Sequence, residues 1–587
     1  MTGLTPSAQE VLARRYLCRG TDGGPCETAE GMLRRVAHHV ASAETRFGGD
    51  ARAWEGHFYE AMSCLSFLPN SPTLMNAGRA YGQLSACFVL PVPDDVAGIF
   101  DTVKLAAVIH QTGGGTGFSF SRLRPRGDRV STSGGSASGP VSFMRVFNEA
   151  TEAINQGGFR RGANMAVLRC DHPDVLEFIR CKTAEGVLTN FNISVGVTEG
   201  LFRLAEEGET LDLVNPHTGA AVGRIAAAEL LREAASCAWG GGEPGLVFLD
   251  RLNRDNPTPS LGEIETTNPC GEQPLLPYES CNLGSVNLSR LTKGGAVDWE
   301  RLGELVELGV RFLDDVVEVN RYPDPKIAAV TLGNRKIGLG VMGFADLLVR
   351  LGLPYDSEEA LSLARELMEA VSERGRRATA QLARERGAFP NFVRSSLADG
   401  PPVRNATTTT VAPTGTISVI AGCSSGIEPL YALALSRRVL EGEELRDISA
   451  SAAEAIARAG LSPADVLGEG GELAPSAPES LRRILTTARR IAPEWHVRMQ
   501  AAFQEHVDNA VSKTVNLPES ATVEDVLNVF KLAEGLGCKG ITVYRDRSRA
   551  GQVLSGITPC PECGSALAHS EGCTHCPNPS CGYARCG

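Results

Sequence analysis

Short apolar runs of strand length alternate with helical stretches along most of this chain, and that alternation confines it to an α/β architecture. Strand-like runs fall at 84–93 (LSACFVLPVP), within 157–170 (GGFRRGANMAVLRC), and at 191–197, 281–288 and 540–548. Helical patterns cover most of residues 1–60, with Thr28 as an N-cap, and recur at 98–111, 141–154, 225–239, 301–320, 358–386, 478–505 and 522–536. The 301–320 stretch places Leu302, Leu305, Val306, Leu313, Val316 and Val317 on one side. Residues 67–78 (FLPNSPTLMNAG) read as turn-rich, and 407–419 (TTTTVAPTGTISV) as strand, turn, strand. The Gly/Ser-rich middle of 118–143 reads as a mobile loop. At 587 residues the chain is too long for one ordinary core, so two to four units are expected.

Composition removes several classes. No run of about 18 apolar residues exists, so no transmembrane helix is expected. The first residues lack the charged-then-apolar order of a secretory signal. A net charge of −12 argues against wholesale nucleic-acid binding while leaving room for a local basic pocket. Seventeen cysteines without an export signal imply a reducing cytoplasm, where thiols serve metal or redox chemistry.

Four stretches carry chemistry. Residues 266–288 (TTNPCGEQPLLPYESCNLGSVNL) set Cys270 between Asn268 and Glu272, with Cys281 eleven residues on. Pro269, Gly271, Pro274 and Pro277 stiffen the turn and exclude regular helix. A reactive thiol and a buried structural cysteine both fit this stretch alone. GGGTG (113–117) follows a helix and lacks phosphate-loop spacing, so a tight turn is the simpler reading. PTGTIS (413–418) offers hydroxyls and backbone N–H groups to a phosphate if a helix starts there, or is a Thr-rich turn. FRRGAN (159–164) carries two guanidinium groups suited to phosphate or base recognition, or to solvent. In the tail, Cys560-x-x-Cys563 and Cys573-x-x-Cys576 are two knuckles that suit a structural zinc, with His569 and His575 as substitute ligands. Cys581 and Cys586 are left as a terminal dithiol able to exchange electrons, or as two more zinc ligands or inert thiols.

Taken in order, SPTLMNAG, LSACFVLPV, GGGTGFSFSRLRPRG, ASGPVSFM, FRRGANM, NPCGE, ESCNLGSVNL, APTGTIS, KGITVYRD and the cysteine tail resemble the catalytic chain of ribonucleotide reductases, specifically the adenosylcobalamin-dependent class II. The likeness runs from about residue 15 to the end. Class I chains pass a radical through two adjacent tyrosines, where this chain has Val543-Tyr544. Class III chains end in a glycyl-radical motif that Cys581-Gly-Tyr-Ala-Arg-Cys586 matches only superficially. No Asp-x-His-x-x-Gly cobalamin motif is present, which fits a cofactor bound on the barrel face.

The resemblance implies a ten-stranded α/β barrel of two five-stranded halves around a catalytic finger loop. It would be flanked by an N-terminal helical region (1–65) and a Cys-rich zinc and redox tail (551–587), the barrel itself spanning 66–550. It implies Cys270 as the thiyl radical, Glu272 as the base for the ribose 3′ hydroxyl, and Asn268 as the group that holds the sugar. Cys87 and Cys281 would be the reducing dithiol, and Cys581 with Cys586 the shuttle served by a thioredoxin-like donor. Ser71, Ala86, Gly114, Gly115, Pro413, Thr414, Gly415 and Thr416 would hold a ribonucleotide, expected to be a diphosphate. Asp94 and the loop at 126–139 would read a dNTP or ATP effector, with Arg160 and Arg161 relaying the choice of base. A homodimer is expected.

Overall fold

Thr28 caps its helix as expected, accepting from Gly31 N at 3.0 Å, and the N-terminal region folds as three helices: α1 (Pro6–Arg15), α2 (Ala29–Ala41) and α3 (Ala51–Ser63). The computed structural model describes residues 3–130, 134–155, 162–438 and 444–549. In the tail it describes 554–556, 560, 568–570, 573–575, 581 and 584–586. Among the described residues no helix is long and apolar enough to cross a membrane.

The central sheet contains β1 (Phe67–Pro69), β2 (Cys87–Pro91), β3 (Gly115–Ser119), β4 (Asn164–Arg169), β5 (Phe191–Val197), β6 (Gly245–Phe248), β7 (Ser280–Asn287), β8 (Ile337–Met342), β9 (Thr514–Leu517) and β10 (Gly540–Arg545). β2, β3, β4, β5 and β6 pair in parallel, in that order. β7 and β8 are parallel, as are β9 and β10. Residues 407–411 join these pairs through parallel bridges, Leu339 to Thr409 and Val411 to Val511. The two parallel halves meet at two antiparallel seams, β2 with β7 and β6 with β10. This is the expected barrel of two five-stranded halves.

Two large apolar clusters pack around the barrel. Phe118, Phe147, Phe191 and Phe248 belong to one cluster. Tyr16, Val36 and Phe58 of the N-terminal helices share another with Leu305, Val341 and Phe503. A buried ion network reinforces that second junction. Glu44 accepts from Arg311 and Arg386, both at 2.6 Å. Arg386 continues to Asp314 at 2.8 Å and Asp315 at 2.7 Å. Arg335 reaches Asp314 at 2.6 Å. Buried charges persist only when paired this densely.

Several stretches differ from the sequence reading. Residues 67–78 contain β1 and the helix α4 (Ser71–Asn76), started by Asn70 Oδ1 accepting from Thr73 N at 2.9 Å with a proline in the first turn. The 407–419 stretch is not strand, turn, strand. After 407–411, Thr414 adopts φ 54° and its Oγ1 takes the Gly426 N–H, so the chain enters a helix at Ile417–Ala421. The 478–505 helix is two, Glu479–Ile484 and Pro493–Gln504, because Pro493 begins a new helix. The loop at 126–139 carries a backbone ladder: Gly127 N to Ala137 O at 2.9 Å, Ala137 N to Asp128 O at 2.8 Å, and a bridge from Arg129 to Ser136.

Candidate active site

The finger is a minimal hairpin. Pro274 and Leu275 pair antiparallel with Thr267 and Thr266, which leaves 268–273 as the tip. Four contacts fix that tip. Asn268 Oδ1 accepts from Gln273 N at 2.9 Å. Asn192, on β5, donates to Pro269 O at 2.8 Å. Ala510 N and Thr410 Oγ1 both donate to Glu272 O, at 3.0 and 2.9 Å. Beneath it, β3 approaches so closely that a Cβ on Gly117 would stand 1.8 Å from Thr267 O. Only glycine fits there.

One thiol stands on the finger, and two more stand on the seam that its Asn268 reaches. Cys270 is exposed at the tip and faces a cavity of about 390 Å³. Cys87 and Cys281 are buried and directly opposite in the β2–β7 register. Opposite residues in an antiparallel pair have Cα atoms roughly 4.5–5.5 Å apart, within disulfide reach. Asn268 Nδ2 donates to Cys87 Sγ at 3.1 Å, tying the finger to that pair. Burial, with Glu279 adding to it, pushes the Cys281 thiol well above the ordinary 9.0, so its hydrogen stays on sulfur at neutral pH. Lys336 Nζ sits 2.8 Å from Glu279 Oε2, both fully buried. Asn268 and Glu272 are buried beside these thiols in the chain.

The remaining expected residues distribute unevenly. Ala86 lies between Cys281 O, which its N–H meets at 3.1 Å, and Gly115 N, which its carbonyl accepts at 2.8 Å. Gly114 is buried against Phe88 and Ile109, while Gly115 lies against Pro269 of the finger. Ser71 Oγ is 2.7 Å from Tyr16 Oη. Pro413 and Gly415 line a second cavity of about 550 Å³ with an apolar wall that includes Val419 and Leu430. It meets the first at Pro413, Thr514, Tyr544 and Arg549. Asp94 is held by Arg124 through Nε at 2.9 Å, with His217 at 3.6 Å. Arg160, Arg161, Cys563 and Cys576 lie outside the described residues. Cys560 is buried with its Sγ 3.6 Å from Cys581 Sγ, and the backbones of Cys573 and Cys586 stand opposite each other in a strand pair. Among the described residues no three Cys, His, Asp or Glu side chains converge as a metal site.

Sequence reading missed the supports. Asn192 was visible as one of two polar residues, with Ser194, in a mainly apolar strand, but nothing local pairs it with Pro269. Lys513, which lines the first cavity, was also missed. It is buried against Glu428 at 2.5 Å and His496 Nδ1 at 3.0 Å, and burial keeps that imidazole neutral.

Comparison with known proteins gives a consistent picture. The model described as the ribonucleotide reductase barrel domain matches residues 85–544, and the all-alpha domain of the same proteins matches residues 2–82. A vitamin B12-dependent ribonucleoside-diphosphate reductase of Mycobacterium tuberculosis (strain CDC 1551 / Oshkosh) is 49% identical over 587 residues, covering 99% of this chain and 84% of that one. A protein of the same name from Thermoplasma acidophilum is 46% identical, covering 94% and 80%. A vitamin B12-dependent ribonucleotide reductase of Streptomyces avermitilis is 30% identical, covering 96% and 68%.

Proposed function

The chain belongs to the ribonucleotide reductase family, and from that membership we propose that it reduces ribonucleoside diphosphates to 2′-deoxyribonucleotides in a vitamin B12-dependent reaction. The observation that carries the reading is the set of three thiols: Cys270 at an exposed, braced tip, with Cys87 and Cys281 opposite each other on the seam that Asn268 reaches. When bound, adenosylcobalamin supplies the one-electron oxidation of the Cys270 thiol. The cavity that Cys270 lines and the one joined to it fit such a cofactor: Ser194 and Thr542 offer hydroxyls to the first, and the apolar wall around Val419 and Leu430 in the second suits a large flat ring.

The chain's own residues do the rest. The Cys270 sulfur radical takes the ribose 3′ hydrogen, and Glu272 takes the 3′ hydroxyl proton, which becomes more acidic once that hydrogen leaves. The 2′ oxygen departs as water while Cys87 and Cys281 give two electrons and two protons and become a disulfide. Glu272 then returns its proton to the 3′ oxygen, and the 3′ hydrogen returns from Cys270, regenerating the sulfur radical. The turn at Thr414–Thr416 presents backbone N–H groups to the substrate phosphates, and Asp94 with Arg124 belongs to the effector site. Cys270→Ala is expected to abolish turnover with adenosylcobalamin and dithiothreitol while nucleotide binding persists; retained turnover would overturn the assignment.

The tail resets the disulfide with electrons from a thioredoxin-like donor in a reducing cytoplasm, with Cys581 and Cys586 as shuttle and Cys560, Cys563, Cys573 and Cys576 on zinc. The 3.6 Å approach of Cys560 to Cys581 favours a second partition. That separation is far beyond a disulfide's ~2.05 Å, so the two sulfurs would sit together as ligands of one metal rather than as a bonded pair. In that partition Cys581 would join Cys560 on the metal, and Cys573 and Cys586, opposite in backbone register, would be the dithiol. Zinc content decides: Cys573→Ser loses the metal in the first case, Cys581→Ser in the second.

A further inference from the structure

Two cysteines near the start of the chain take no part in the chemistry above. Cys18 and Cys26 stand on the two arms of a short hairpin between α1 and α2, both as free thiols. Arg19 pairs antiparallel with Pro25. Cys26 N donates to Cys18 O at 2.7 Å and Gly20 N to Gly24 O at 2.8 Å, so Cys18 lies directly opposite Cys26. Gly23, at φ 79°, turns the chain between the arms, and Asp22 Oδ1 accepts from Gly24 N at 3.1 Å.

Opposite residues at a hydrogen-bonded site have Cα atoms roughly 5.5 Å apart, inside the range of about 4.4–6.8 Å that a disulfide spans. The two side chains also share a face. A Cβ on Gly20, two residues from Cys18, would stand 3.8 Å from Cys26 Cβ.

The hairpin is anchored just outside the pair. Cys18 N donates to Glu27 Oε1 at 2.8 Å. The same oxygen accepts from Arg35 at 2.8 Å and from Arg79 at 2.7 Å. Arg79 also donates to Tyr16 O at 2.7 Å, and Arg35 donates to Ala77 O beyond α4. Both arms are therefore held to the body of the protein, and the two sulfurs keep one register.

Access separates the two thiols. Cys26 is exposed and Cys18 is half-buried. Burial raises the Cys18 thiol above its usual value, which leaves it less thiolate to meet a disulfide from solution.

We infer that Cys18 and Cys26 are a further dithiol of this chain, an oxidation site that takes a small disulfide of the glutathione class and closes into an intramolecular disulfide. Cys26, as thiolate, attacks one sulfur of the incoming disulfide, and one thiol leaves with the proton that Cys26 gave up. Cys18 then attacks the Cys26 sulfur of the mixed disulfide, and the second thiol leaves with the Cys18 proton. Two protein thiols lose two electrons and two protons, and the oxidant gains them as two thiols. A dithiol reductant reverses the exchange. The bond joins the arms between Tyr16 and Glu27, so it locks the spacing of the two groups that grip Arg79. It needs neither nucleotide nor cofactor.

The test incubates the full native chain, reduced and then freed of reductant, with glutathione disulfide. Remaining thiols are alkylated and the chain is cut with trypsin. Arg15, Arg19 and Arg34 set the cuts, so the pair falls on two peptides, 16–19 and 20–34. Mass spectrometry should find these two linked. The linked form should exceed glutathione-bearing Cys26 by at least about tenfold, because a thiol held in register outcompetes millimolar thiols in solution. Cys18→Ser should leave glutathione on Cys26, and in Cys26→Ser the modification of Cys18 should be at least about tenfold slower than that. Glutathione on Cys26 as the main product in the native chain, or both cysteines alkylated, overturns the site. An equal yield of linked peptides from chain unfolded in urea before the oxidant is added overturns it too, since the register would then contribute nothing. Equal rates in Cys18→Ser and Cys26→Ser overturn the order of attack.

Discussion

Asn268 divides one amide between two tasks: its oxygen closes the finger on Gln273 N, and its nitrogen reaches across to Cys87 Sγ. Local order made Asn268, Cys270 and Glu272 legible in the sequence, because three functional groups within five residues on a proline-stiffened turn are visible without a fold. The ion pair behind Cys281 was not legible. Lys336 and Glu279 are far apart in sequence, and each alone reads as a surface charge. In the fold Lys336 Nζ is 2.8 Å from Glu279 Oε2, which also accepts from Leu276 N at 2.8 Å, while Asn334 Nδ2 reaches Oε1 at 2.8 Å. Lys336→Met would strand that carboxylate in the interior. We expect a loss of about 3–5 kcal/mol in chemical denaturation, with Glu279→Leu in the same chain recovering most of it. A loss below ~1 kcal/mol would show that the pair does not behave as a buried charge pair.

At the scale of elements, α5 (Val96–Gln111) does more than cover β2. Val96, Phe100 and Val108 are 65%, 51% and 39% exposed, four or eight residues apart along one face. An apolar stripe on a helix that neighbours the proposed effector site supports a homodimer closing over α5. Phe100→Glu should weaken that dimer at least about tenfold, equivalent to ~1.4 kcal/mol, seen as a shift to monomer mass in light scattering. An unchanged monomeric mass for wild type and variant alike would remove the dimer. Helix α6 (Glu358–Arg386) was legible to the residue, since long amphipathic patterns with charged ends are the clearest sequence signal. β8 was not, because Gly338 and Gly340 within Ile337–Met342 erase the β-branched signature. The Thr-rich stretch at 407–419 misled for the opposite reason. Its β-branched residues promise two strands, yet Thr414 turns the chain into a helix.

Over the whole molecule, the α/β class followed from alternation, but closure did not. The barrel closes through single bridges at Thr409 and Val411, too short to leave a periodic trace in sequence. The two antiparallel seams are equally invisible, since they join β2 to β7 and β6 to β10 across long separations. One seam carries Cys87 and Cys281, and that has a mechanical outcome. A bond between these sulfurs would close residues 87–281 into a covalent ring, and β2, β3, β4, β5 and β6 all lie within it. Each turnover would thus lasso the first half-barrel, and each re-reduction would cut it loose. Closing a loop of that size removes on the order of 5 kcal/mol of unfolded-chain entropy. Enzyme starved of reductant should therefore melt several degrees higher and resist protease longer than the reduced form, a difference that Cys281→Ser should erase. An oxidised enzyme that melts no higher would place the bond elsewhere. The barrel that spends its electrons would be the one that cannot readily come apart while it waits for more.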